Sequence, residues 1–180
     1  MDVDTFREGI FSLHTRRFGT VAELIVKKLV KLGRAQSLFH DLYDDQMKRR
    51  VEVKFSRVRT THETPIDELN VLRCIKEATS EQRMVPFAIW DQATFDCNIQ
   101  QIKRSEFDVL YYGLFFADCV VMFHIDSSEI DGRINYSDKQ HKGNVGEGQF
   151  HVNQKTLQIH LDNYLYQELP YEQLIAILSN

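Results

Sequence analysis

Residues 41–56 read DLYDDQMKRRVEVKFS, and their spacing decides the fold. Val51, Val53 and Phe55 alternate with Glu52, Lys54 and Ser56, the period of two that places successive side chains on opposite faces of a strand. The stretch SLFHDLYD before them reads as a second strand, and DQMK as the turn between. In such a hairpin the valines enter a core while Glu52 and Lys54 emerge together, and Asp41 comes close to Glu52. Two converging carboxylates repel each other unless a cation lies between them. Mg2+ takes oxygen ligands, a few from protein and the rest from water and phosphate. Asp41, Glu52 and the carbonyl of Val53 make such a set. Lys54 would then face the same phosphate, where an ammonium can orient or deprotonate an attacking water or neutralise developing charge. The opposing reading is a solvated strand face. Asp44 rivals Asp41 for the ligand role, but lies at the turn, where a solvated acid is the default.

Outward from the hairpin, Phe6, Ile10, Phe11 and Leu13 have helical spacing within residues 3–14. Thr20 reads as the N-cap of a helix, TVAELIVKKLVKLG, with Glu23 completing a capping box and Gly33 ending it. Thr64-Pro65 starts a helix reaching about residue 79. VPFAIW at 85–90 and NIQQIK at 98–103 read as strands, and FDVLYYGLFF and CVVMFHI as two buried strands parted at Ala117-Asp118. LPYEQLIAIL, led by Pro170, reads as a terminal helix. The plan is α/β, a central mixed β-sheet flanked by helices.

At 180 residues the chain fits one domain. Residues 1–18 form an N-terminal helix and candidate dimer contact, 19–130 a catalytic core, 131–155 a recognition segment and 156–180 a C-terminal helical segment. Three cysteines without CxxC spacing argue against a disulfide framework or a zinc site and for a reducing, cytoplasmic setting. No run of eighteen apolar residues occurs. The net charge of −4 disfavours a nucleic-acid partner, but its distribution does not. Between Arg16 and Arg59 stand twelve Lys and Arg against five acids, a basic region suited to phosphates. Nothing matches a nucleotide-binding loop or a Ser-His-Asp order.

GTVAEL on a helix, HDLYD on a strand and VEVKFSR on the next together resemble the PD-(D/E)xK nuclease superfamily, and specifically type II restriction endonucleases. FDVLYYGLFF and QHKGNVGEGQFHVN are similar to segments of small restriction enzymes, so the likeness runs from about residue 19 through most of the chain. The resemblance implies a restriction-endonuclease-like core, with Asp41 and Glu52 as metal ligands and Lys54 as the catalytic lysine. Glu23 matches an acid that points toward the metal site in many relatives. His40 stands where the motif has proline, a position that varies widely in the superfamily.

A site-specific nuclease needs phosphate contacts for affinity and base-edge contacts for sequence. Arg16, Arg17, Arg57 and Arg59 flank the hairpin and are candidates for gripping backbone. Lys139, Gln140, His141, Lys142, Asn144, Glu147, Gln149 and His151 offer the donors and acceptors that pair with adenine, guanine and cytosine. Gly143, Gly146 and Gly148 would let that segment approach a groove. Lys103, with Gln100 and Gln101, is a further candidate, one glutamine as support for a metal-bound water. The resemblance implies an Mg2+-dependent double-strand endonuclease, with Mn2+ able to substitute, acting in a prokaryotic cytoplasm. Its products would be 5′-phosphate and 3′-hydroxyl ends. One hairpin site per chain and two strands to cut imply a homodimer on a palindrome. A DNA methyltransferase would be its functional partner. The alternatives are a structure-specific, nicking or repair nuclease of the same fold, and a non-catalytic DNA-binding or assembly protein.

Overall fold

Strand β3 (Arg49–Arg57) lies inside a six-stranded sheet with β1 (Gly33–Arg34), β2 (Leu42–Asp44), β5 (Val109–Phe115), β6 (Cys119–Asp126) and β8 (Leu165–Pro170). The strand order is β1-β2-β3-β5-β6-β8. The structure is a computed structural model describing residues 1–35, 37–61, 65–77, 83–139 and 146–179. β3 and β5 run parallel, and the other neighbours are antiparallel, so the sheet is mixed. Among the described residues no helix is long and apolar enough to cross a membrane.

The parallel register sets Val51 beside Val109 and Val53 beside Tyr111 on one face, and Glu52 beside Leu110 and Lys54 beside Tyr112 on the other. The first face packs on α1 (Val3–Ser12), α2 (Thr15–Val30) and α5 (Tyr171–Ser179) through Phe11, Phe18, Ile25 and Leu174. On the second face lie α4 (Leu157–Tyr164) and a separate two-stranded ribbon of β4 (Asp96–Ile102) and β7 (Gly148–Asn153). Helices therefore flank both faces, with an apolar core on each side of the sheet.

Several local expectations change. The strand expected over SLFHDLYD shrinks to Leu42–Asp44, because the Ser37 hydroxyl accepts from the Phe39 N–H at 3.2 Å and bonds the His40 ring at 3.1 Å, which turns the chain before Asp41. α2 starts at Thr15, not after Thr20, because the longer helix buries Phe18 in line with Ala22 and Ile25. Thr20 sits inside the helix, its hydroxyl donating to the Arg16 carbonyl at 3.2 Å, so no capping box forms there. The helix ends at Lys31 in the left-handed region, leaving Gly33 to open β1. VPFAIW does not pair as a strand. Its backbone turns into a 3-10 helix (Phe87–Gln92) whose first N–H is taken by Asp118 at 2.8 Å. Helix α3 (Val71–Glu77) begins later than Pro65, because Asp67 accepts from the N–H groups of Leu69 and Asn70 in a preceding turn. The C-terminal segment is not helical throughout: β8 interrupts it as an edge strand with Leu169 alone fully buried.

The apolar face of α1 was one candidate for a dimer contact. Phe6, Ile10 and Phe11 are buried within the chain itself, which leaves that face unavailable to a partner. The apolar stripe of β5 is likewise core.

Candidate active site

Asp41 lies one residue before β2, where extension of the ladder that pairs Leu42 with Val51 sets it opposite Glu52. Its position is fixed twice: its N–H donates to the Val51 carbonyl at 3.0 Å, and its Oδ2 accepts from the Val53 N–H at 2.9 Å. The N–H and C=O of a strand residue point to the same side, so the Val53 carbonyl also faces Asp41. Two residues apart on β3, Glu52 and Lys54 share a face, and the ammonium of Lys54 donates directly to Glu52 Oε1. The same Nζ stands 3.8 Å from Asp41 Oδ2. The hairpin thus delivers both acids to one lysine.

Glu52 is 9% exposed. Burial pushes its carboxyl up to about 7, against the opposing pull of Lys54, with the charges of Asp41 and Glu106 adding to the rise. Lys54 is held above its ordinary range by Glu52 and Asp41, which outweigh the burial that would lower it. Glu23, on α2, is raised by burial and by the charge of Asp41, and it also feels Lys54. All four residues therefore belong to one electrostatic cluster.

Asp41, Glu52 and Lys54, but not Glu23, line a cavity of about 230 Å³, together with Gln101 at the end of β4 and Lys103 and Glu106 just after it, among others. Gln101 has φ 61° at a bulge in β4 between Gln100 and Ile102. Such a left-handed conformation is strained for a side chain other than Gly or Asn, and strain of this kind gathers at functional sites. Lys103 Nζ lies 3.6 Å from Glu106 and 3.8 Å from Glu147, both at the cavity wall.

Asp44 does not join the cluster. It accepts from the N–H groups of Gln46 and Met47, each at 2.9 Å, and so closes the hairpin turn. His40, in the place of the motif's proline, is 7% exposed and bonded to the Ser37 hydroxyl at 3.1 Å.

The arginines divide. Arg16 and Arg17 are exposed on the first turn of α2. Arg57 Nη1 instead donates to the carbonyls of Phe11 at 2.9 Å and Leu13 at 2.7 Å, and Arg59 Nη2 also donates to Phe11. Both guanidiniums hold the C-terminal end of α1 rather than standing out toward a backbone phosphate. The sequence hides this, because the identity of the helix that meets Arg57, at the end of β3, and Arg59, just past it, is set by the chain's topology.

Lys139 is exposed, and Gln149 and His151 lie on the open face of β7. Gln140, His141, Lys142 and Asn144 lie outside the described residues. Glu106 escaped the sequence reading: nothing local marks it, and only the β3–β5 pairing brings it beside Glu52.

Among the described residues, no group of three or more His, Cys, Asp or Glu side chains forms a ready metal cage. The donor set still suits a hard cation. Asp41 and Glu52 both line the cavity, and Mg2+ commonly keeps several waters on so few protein ligands.

The chain matches no protein-family model, no curated protein and no solved structure.

Proposed function

We propose that the protein is a type II restriction endonuclease of the PD-(D/E)xK superfamily. It would cut both strands of duplex DNA at a short palindromic sequence with Mg2+, working as a homodimer. One observation carries the reading: Lys54 joins Asp41 and Glu52 at the mouth of a hairpin cavity, with Glu23 in the same field. These residues hold the order that the superfamily resemblance implies, and the mixed sheet with helices on both faces is compatible with its core.

In hydrolysis the oxygen of a water bonds to phosphorus as the P–O3′ bond breaks, leaving a 5′-phosphate and a 3′-hydroxyl. Asp41 and Glu52, with the Val53 carbonyl, would hold Mg2+, which when bound supplies Lewis-acid polarisation of the phosphate. Asp41 enters this role already oriented by the Val53 N–H. Lys54 holds a proton at Nζ and donates it in a hydrogen bond toward the incoming water or the phosphoryl oxygen. Burial of Glu52 keeps bulk water from one side of the cavity and strengthens each of these interactions.

The testing experiment is digestion of a plasmid of known sequence, with Mg2+ and with EDTA, beside Lys54→Ala. Discrete fragments that need Mg2+ and vanish in the variant support the proposal. Intact plasmid under every metal and salt condition overturns it in favour of a non-catalytic DNA-binding or assembly protein. A second reading, a nicking or repair nuclease acting as a single chain, draws on the burial of the α1 face within the protomer. Nicked or smeared plasmid would favour it.

A further inference from the structure

The β4–β7 ribbon has two unlike faces. Cys97, Ile99, Ile102, Phe150 and Val152 are buried against the central sheet. The opposite face carries Asp96, Asn98 and Gln100 on β4 across from Asn153, His151 and Gln149 on β7. The three β4 residues are exposed and the three β7 residues half-exposed. None of these six is Lys, Arg, Glu or Thr, although an ordinary soluble surface is about a quarter to a third charged. The one charge, Asp96, lies 2.9 Å from His151 Nδ1.

The side chains are bonded across the strands in a way that fixes what they offer. Asn98 Nδ2 donates to Gln149 Oε1 at 3.0 Å, which leaves Asn98 Oδ1 as an acceptor and Gln149 Nε2 as a donor. Asp96 holds His151 by Nδ1 and leaves Nε2 for another partner. An amide that presents a donor and an acceptor side by side is what distinguishes adenine in the major groove. A two-stranded ribbon also fits that groove, which is about 12 Å wide. At about 3.3 Å per residue β4 spans roughly 20 Å, the length of several base pairs.

The ribbon begins at the candidate active site. At the β4 bulge, Gln100 and Gln101 are consecutive and both exposed. Gln100 pairs with Gln149 on the ribbon, whereas Gln101 turns into the cavity with Glu52 and Lys54. The ribbon's open face and the cavity therefore adjoin at consecutive residues of β4.

We infer that the β4–β7 ribbon is the base-reading element, entering the major groove of duplex DNA with Asn98 and Gln100 as readers beside Gln149 and His151. Asp96 is a positioning residue for His151. The inference rests on the reading of the chain as a DNA-acting protein, but not on cleavage.

The test is selection of bound duplexes from a random-sequence library by gel shift in Ca2+, with the wild type, Asn98→Ala and Gln100→Ala. The fold of both variants is checked by thermal melting, which these exposed substitutions leave unchanged. The wild type is expected to enrich one short motif. Each variant is expected to lose about tenfold or more in affinity for it and to relax one or two positions, with binding to unrelated duplex unaltered. Enrichment of the same motif with the same affinity by both variants overturns the inference, as does a wild type that enriches nothing. Variants that lose the wild type's motif, beside a wild type that does not cut with Mg2+, support the ribbon and overturn the nuclease proposal. Cutting without sequence choice does the reverse.

Discussion

Asp41 takes the main-chain N–H of Val53 on its Oδ2 at 2.9 Å, and the Lys54 ammonium approaches the same oxygen at 3.8 Å. An aspartate outside any strand is thereby tied to the strand that carries Glu52 and Lys54. Asp44, three residues on, serves the turn instead. Asp41→Ala is expected to lower Mg2+-dependent cleavage by at least about a hundredfold, as loss of an electrostatic stabiliser does. Asp44→Ala is expected to keep cleavage and cost about 1 kcal/mol of stability through its turn hydrogen bonds. Plasmid digestion and urea unfolding of the two variants separate these roles.

Lys54 is also a counter-charge for two acids. Lys54→Met keeps the stem's packing and removes the ammonium, so Glu52 and Asp41 are left facing each other. The variant is expected to be less stable than wild type by more at pH 8 than at pH 5.5, where Glu52 can take up a proton. Parallel urea titrations at the two pH values measure the difference, and an equal loss at both would contradict the assignment.

His160 is fully buried, with Nδ1 bonded to the Tyr112 hydroxyl at 2.8 Å and its ring stacked on Phe150. Burial pushes its pKa down to about 4. The unfolded chain therefore binds a proton on this residue between pH 6.5 and pH 4 that the folded chain refuses. Stability from this group is full above pH 6.5 and is lost as pH falls through that window, by roughly 3 kcal/mol. His160→Gln is expected to flatten the dependence. Glu52 runs the other way: its raised pKa makes stability fall as pH rises from 4.5 to about 7, so Glu52→Gln should steepen the rise seen between pH 4 and 6.5. Denaturation at four pH values, for wild type and both variants, checks the two signs together.

Arg57 and Arg59 allow a separation of stability from DNA affinity. Arg57→Ala is expected to cost about 2 kcal/mol, by leaving α1 carbonyls without their charged donor. The salt slope of DNA binding should stay the same. Arg16→Ala or Arg17→Ala, on the exposed start of α2, should leave the melting temperature in place. Either substitution reduces the slope by about one if its guanidinium meets a phosphate.

The second strand of the hairpin was legible because alternation is a local signal: Val51 and Val53 proved buried, and Glu52 and Lys54 share the opposite face, whereas the first strand keeps only Leu42–Asp44 of the stretch expected. β5 and β6 were legible from a different local signal, an unbroken apolar run that suits a strand covered on both faces. α2's early start was not, because Phe18 gains its burial from Phe115, a residue far along the chain. Arg57 illustrates the limit further. Its alternation placed it beside the site, but its partners are carbonyls more than forty residues away. Glu106 and the cavity wall likewise depend on strand order, which no run of residues announces.

The parallel pairing of β3 with β5 also governs when the candidate site can come into being. Arg50 is anchored by Asp108, 58 positions later, through both its backbone N–H and its guanidinium. Asp41, Glu52 and Lys54 leave the ribosome well before that partner, and parallel pairing over such a separation is a slow step in folding. A nascent chain shorter than about the end of β5 holds the hairpin residues without the strand that pairs with β3, so the candidate site waits for nearly two thirds of the chain.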